Sequence, residues 1–176
     1  RGCRQLLRGE PFPVGKVLSD DVVLAAVDST RNQMIDPRDW CSGELVEEHI
    51  DAVGEFFDAH LDKKHRIVVM HHCVWEEESE NARFPMIMAD PDPVTATDWV
   101  NWAGASLVLC GHYHGLDGVQ DAVLGDGSTL GFCAGTAGGV DEDDGMRAYH
   151  VVDLLENGKV KIEERAFDLE EVDEMI

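Results

Sequence analysis

Leu107-Val108-Leu109-Cys110-Gly111-His112-Tyr113-His114-Gly115 runs from four apolar residues through a glycine into two histidines one residue apart. An apolar run bounded by glycine reads as a buried strand breaking into a turn, so both imidazoles leave from a strand's carboxyl end. Open α/β sheets place their chemistry along that edge. Arg66-Ile67-Val68-Val69-Met70-His71-His72-Cys73 repeats the pattern, a buried strand running straight into histidine. Two strands thus bring histidines to one rim, and the fold class is α/β.

Outward from these strands, Val22-Val23-Leu24-Ala25-Ala26-Val27 reads as a further buried strand, ending at Asp28-Ser29-Thr30. From Glu44 to Leu61 the apolar positions Val46, Ile50, Val53, Phe57 and Leu61 step by three or four and mark one face of a helix, with Ser42 as its cap and Glu44 at the positive end of its dipole. Residues 74 to 93 show neither the helical nor the strand period, and a loop of such length in a compact domain is usually functional. Thr95-x-x-Asp98 resembles a capping box, opening a helix through Trp99, Val100 and Trp102 that Gly104 closes. Strands follow at 129–134, 147–154 and 159–167, the last two joined by the hairpin signal Asn157-Gly158. Helical crossovers come first and antiparallel strands last, which suggests a mixed sheet, or two packed sheets with helices outside.

The 176 residues suit one domain, 1–167, followed by an acidic tail, 168–176, and a hydrophobic content of 44% is enough for a core. The formal charge of -22 excludes nonspecific binding to nucleic acid or to an anionic membrane, since either needs a basic footprint. It fits a well-solvated surface and, more sharply, a protein working among screening counterions. No apolar run approaches the roughly 18 residues needed to span a bilayer. Cys3, Cys41, Cys73, Cys110 and Cys133 are odd in number and contain no C-x-x-C pair, so a reduced, cytoplasmic protein is expected, with Cys110 and Cys133 as small core residues. The chain opens at Arg1-Gly2-Cys3, and its true amino terminus is expected to lie upstream.

Neutral imidazole is the commonest protein ligand for transition metals, and strand ends hold it rigidly. One residue apart in a turn, His112 and His114 can diverge toward two ions, and His71 can complete the pair on the nearer one. Strand alternation sends His71 and His72 to opposite sides, so only one of them points comfortably into a site. His71, directly after the apolar run, is the expected ligand. Asp28 serves either turn chemistry at a strand end or support around the site.

Val69-Met70-His71-His72-Cys73 and Gly111-His112-Tyr113-His114 resemble the last two motifs of the calcineurin-like metallophosphoesterases, of the cyclic-nucleotide phosphodiesterase and purple acid phosphatase type. Ala26-Val27-Asp28-Ser29 and Ala134-Gly135-Thr136-Ala137-Gly138 resemble two softer features of the same family. The resemblance implies a sandwich of two mixed β-sheets flanked by helices, with this chain as its carboxyl-terminal portion. It also implies a binuclear centre of Mn, Fe or Zn, with His71 and His112 on one ion and His114 on the other. His72, Asp28, Cys73 and Tyr113 would line the pocket or support the ligands. Cys73 stands where the family commonly has proline.

The activity implied is metal-dependent hydrolysis of a small phosphate ester or nucleotide. The family's front motifs, Asp-x-His, Gly-Asp-x-x-Asp and Gly-Asn-His, do not occur in these residues. The acid histidine is expected in an upstream half of about a hundred residues that restores an ordinary domain size, and this chain alone is expected to be inactive. The alternatives are a non-catalytic scaffold on the same fold and a structural zinc site using Cys73, Cys110 and the histidines. Trp75, Phe84, Met86 and Met88 wall a pocket or pack the long loop, Glu76-Glu77-Glu78 is a solvated run, and Trp99 and Trp102 share one face of a core helix. His49, His60, His65 and His150 are expected to serve the fold.

Overall fold

The computed structural model describes residues 12–30, 44–72, 74, 87–88, 96–111, 121–124, 128–133 and 146–168. Among them, four apolar runs become the parallel heart of one sheet: β2 (Val22–Ala26), β4 (His65–Val69), β6 (Leu107–Cys110) and β8 (Thr129–Cys133). Strands covered on both faces have no polar alternation, which is why β2, β6 and the Ile67–Val69 part of β4 read as continuous apolar residues. β1 (Val14–Val17) and β7 (Asp121–Leu124) pair antiparallel with β2 and β8 and close the two edges, giving the order β1-β2-β4-β6-β8-β7.

The register sorts the side chains. Ala25 lies beside Val68, Val68 beside Val108, and Cys110 beside Cys133, so these residues share one face. Val23, Ala25, Val68, Met70, Val108, Cys110 and Cys133 join Val53 and Phe57 of α1 (Glu47–Asp58) and Trp99 and Val100 of α2 (Ala96–Trp102) in one buried cluster. Helices therefore cover that face. β1 approaches α1 so closely that a Cβ built at Gly15 would come within 2.7 Å of the Phe56 ring.

On the opposite face Ile67, Leu107 and Phe132 are buried. There a hairpin of β9 (Met146–Leu154) and β10 (Val160–Asp168) meets the sheet. The His150 ring stands edge-on to Phe132 with centroids 4.5 Å apart, and His65 Nε2–H donates to the Leu155 carbonyl at 2.9 Å. The fold is thus α/β, with a mixed six-stranded sheet between helices and a two-stranded antiparallel sheet. No described helix is long and apolar enough to cross a membrane.

The helix expected over 44–61 is shorter at both ends. Glu44–Leu45 forms β3, paired in parallel with β5 (Ile87–Met88), and the helix begins after Val46 with no side-chain cap. Pairing with a distant segment has overridden a local cap signal, and Ser42 lies outside the described residues. At the other end, His60 Nδ1–H donates to the Phe56 carbonyl at 2.7 Å, which satisfies one orphan acceptor and stops the helix before Leu61.

α2 ends as its glycine suggests. Gly104 takes φ +69°, Ala105 N–H reaches Val100 O at 3.0 Å, and Gly104 N–H reaches Asn101 O at 2.9 Å, the paired bonds of a Schellman turn. Its two tryptophans part company. Trp99 is buried, whereas Trp102 is 73% exposed, because three residues turn a helix about 300° and take the second ring past the edge of the core-facing stripe.

Candidate functional site

Parallel strands end on the same side, so β2, β4, β6 and β8 bring Asp28-Ser29, His71-His72, Gly111 and Cys133 to one edge of the sheet. Backbone hydrogen bonds carry the ladder past the strand ends. Val27 N–H donates to Val69 O at 2.9 Å, Met70 N–H to Leu109 O at 3.0 Å, and Gly111 N–H to His71 O at 3.0 Å. The last of these joins His71 to the residue that immediately precedes His112.

The side chains on this rim are ordered by local bonds. Asp28 Oδ1 accepts from Thr30 N–H at 2.9 Å and from Thr30 Oγ at 2.6 Å, closing an Asx turn that ends the β2 segment. Ser29 and His72, 1% and 2% exposed, meet between β2 and β4: Ser29 Oγ lies 2.9 Å from His72 Nδ1 and accepts His72 N–H at 3.1 Å. His71 is exposed, its ring edge-on to that of His72 with centroids 4.7 Å apart. Alternation along the chain thus gives the pair opposite fates, one imidazole tucked under the rim and the other on it.

Cysteine lines the floor beneath. Cys133 Sγ–H donates to the Gly111 carbonyl at 2.9 Å, and Cys110 Sγ–H to the Phe132 carbonyl at 3.5 Å. Gly111 is therefore tied to the β4 extension through its N–H and to β8 through its carbonyl. His112, Tyr113 and His114 lie outside the described residues, as does Cys73. Among the described residues, no group of three or more His, Cys, Asp or Glu side chains lies where it could hold a metal ion.

Of the three expected ligands, His71 is the one that lies among the described residues. His71 is a solvent-facing imidazole on a backbone held by hydrogen bonds from its neighbours, the condition under which ordering a ligand costs least entropy. The two buried cysteines point elsewhere. Metal-bound cysteine is a thiolate, whereas both sulfurs here donate to carbonyls as thiols, the state of small core residues.

Ser29 escaped sequence reasoning, whereas His65 serves the fold as expected. Ser29, inside the quoted Asp28-Ser29 pair, carries the bridge to His72, and its signal was a small hydroxyl residue at a strand's carboxyl end. His65 is a fully buried link to the hairpin turn at Leu155, 90 residues away, for which no local pattern exists. No protein-family model matches the chain, and no curated protein matches it.

Proposed function

We propose that this chain carries the histidine half of a binuclear metal centre that hydrolyses phosphate esters, on a sandwich of the metallophosphoesterase kind. The observation that carries this reading is the 3.0 Å bond from Gly111 N–H to His71 O, which couples two histidine-bearing segments 40 residues apart at the carboxyl edge of a parallel sheet. His71 and His112 would hold one ion and His114 the other. Manganese, iron and zinc all suit imidazole. Two such ions, when bound, activate water for attack on phosphorus and offset charge on the phosphate oxygens.

The chain's own residues orient and hold. The β4 extension carries His71 to the rim, and Gly111, tied laterally on both sides, immediately precedes His112 in sequence. A chain with a formal charge of -22 repels a phosphate ester at long range, and divalent ions held by these histidines would reverse that field locally. The motifs that would supply the acidic ligands and the proton donor of such a site, Asp-x-His, Gly-Asp-x-x-Asp and Gly-Asn-His, do not occur in these residues. That same gap favours a second reading, a scaffold on this fold that binds no metal, although a scaffold has no electrostatic reason to keep the three histidines that the resemblance assigns as ligands.

The test is metal analysis with turnover of p-nitrophenyl phosphate and bis(p-nitrophenyl) phosphate by the complete protein. Two ions per chain are expected, with hydrolysis lost together with metal in His112→Ala and His114→Ala. Metal and turnover retained in those variants would defeat the assignment. An ion-free protein would favour the scaffold, and one tightly held zinc a structural site.

A further inference from the structure

The peptide unit joining His71 to His72 is held from both sides. Its carbonyl, that of His71, accepts Gly111 N–H at 3.0 Å, and its N–H, that of His72, donates to Ser29 Oγ at 3.1 Å. Val27 N–H has already made its bond to Val69 O, two residues upstream, and the chain then turns away through Asp28 and Thr30. The Ser29 hydroxyl thus takes the N–H of the peptide whose carbonyl Gly111 holds. It restrains the backbone of His71, and with it the direction in which that side chain leaves.

The same hydroxyl decides the state of the neighbouring ring. A hydroxyl has one proton and two lone pairs, and one lone pair takes His72 N–H. If Nδ1 carried the ring proton, it would fill the second lone pair. The hydroxyl proton would then lack an acceptor among the described residues, an unfavourable arrangement for a serine only 1% exposed. The hydroxyl therefore donates to Nδ1, and the neutral ring keeps its proton on Nε2. Such an imidazole offers no lone pair to a metal. His71, its ring on the exposed side of the rim, is the member of the pair that can ligate.

We infer that Ser29 is a positioning residue: by holding the 71–72 peptide and fixing His72 as the Nε2–H tautomer, it makes His71 the metal ligand. This rests on the proposed metal centre, and it resolves which of two adjacent histidines serves it. His72 acts as a strut rather than a ligand. The bridge links β2 to β4 across 43 residues of sequence, so it forms only once the parallel sheet has assembled.

The test is histidine ring ¹⁵N–¹H correlation on the complete protein, prepared metal-free and then titrated with Zn²⁺. The His72 signals are assigned from their loss in His72→Gln. Wild type is expected to show His72 protonated on Nε2, and Zn²⁺ is expected to move the His71 ring while leaving the tautomer of His72 unchanged. In Ser29→Ala the tautomer should mix, and Zn²⁺ affinity from chelator competition should fall about tenfold to a hundredfold, with Ser29→Thr recovering it. The metal-free thermal midpoint of each variant reports the fold separately.

A proton on Nδ1 of His72, zinc bound by His72, or unchanged tautomer and affinity in Ser29→Ala would overturn the inference. Should Ser29→Ala fail to fold, the wild-type tautomer and titration decide it alone. Zinc that moves neither ring, in a protein whose His72 still shows Nε2–H, would overturn the metal centre and the ligand assignment with it. That result is distinguishable from a failure of the serine bridge.

Discussion

Gly15 sits under the Phe56 ring with no room for a methyl group: a Cβ there would meet three ring carbons at 2.7 to 2.9 Å. Phe56 cannot simply swing aside, because its ring also contacts Phe57 and His60 at centroid distances of 5.8 and 4.6 Å. Gly15→Ala is expected to destabilise the protein by about 1–3 kcal/mol, the usual cost of overpacking. Thermal unfolding should show the midpoint falling by several degrees, and an unchanged midpoint would mean that β1 and α1 are not in this contact. The exposed side of the chain taken by His71 was legible at this scale, since an apolar run fixes the alternation and the first polar residue after it inherits a direction. The serine bridge was not, because a hydroxyl near a strand end has many uses, and only the register between β2 and β4 selects one.

The elements most legible in the sequence were those whose burial is uniform. β2 and β6 follow from unbroken apolar runs, β4 from the run Ile67-Val68-Val69, and the hairpin turn from Asn157-Gly158, with Gly158 at φ +80°. The edges were not legible. Val14–Val17 and Asp121–Leu124 are four-residue strands with Val17 and Val123 more than half exposed, so their composition resembles a loop until a neighbour supplies the hydrogen bonds. Glu44–Leu45 reads as a helix start in sequence because two residues carry no period of their own.

The end of α2 supports a prediction at the same scale. Arg66 Nε–H donates to Gly104 O at 2.6 Å and Arg66 Nη–H to Lys63 O at 3.2 Å, so the left-handed turn is fastened to the base of β4 by a cation at the helix's negative end. Gly104→Ala should cost about 1–2 kcal/mol, the strain of an L side chain at positive φ. Gly104→Asn should cost less, since asparagine visits that region more readily. Equal losses from the two in chemical denaturation would contradict a conformational origin.

Over the whole molecule, charge dominates. A formal charge of -22 on 176 residues repels itself, and the screening length shortens from about 10 Å at 0.1 M salt to about 3 Å at 1 M. The unfolding midpoint is therefore expected to rise between 0.1 and 1 M KCl or NaCl alike and to level off at about 1 M and above, where exposed charges are already screened. A flat or falling midpoint would show that the acidic groups are paired rather than repelling. The layered architecture was legible only as the order of crossovers followed by a hairpin. Which face the hairpin takes is set by Phe132 against His150 and by His65 reaching Leu155, contacts between segments far apart in sequence.

The rim where four strands end is the product of all three scales. Its proposed role is tested most directly by anomalous diffraction at the manganese edge from crystals of the complete protein grown with Mn²⁺. Two peaks about 3.5–4 Å apart, bound by His71, His112 and His114, are the expected result. No peak at this edge of the sheet, or a His71 ring more than about 10 Å from the rings of His112 and His114, would contradict a shared binuclear centre.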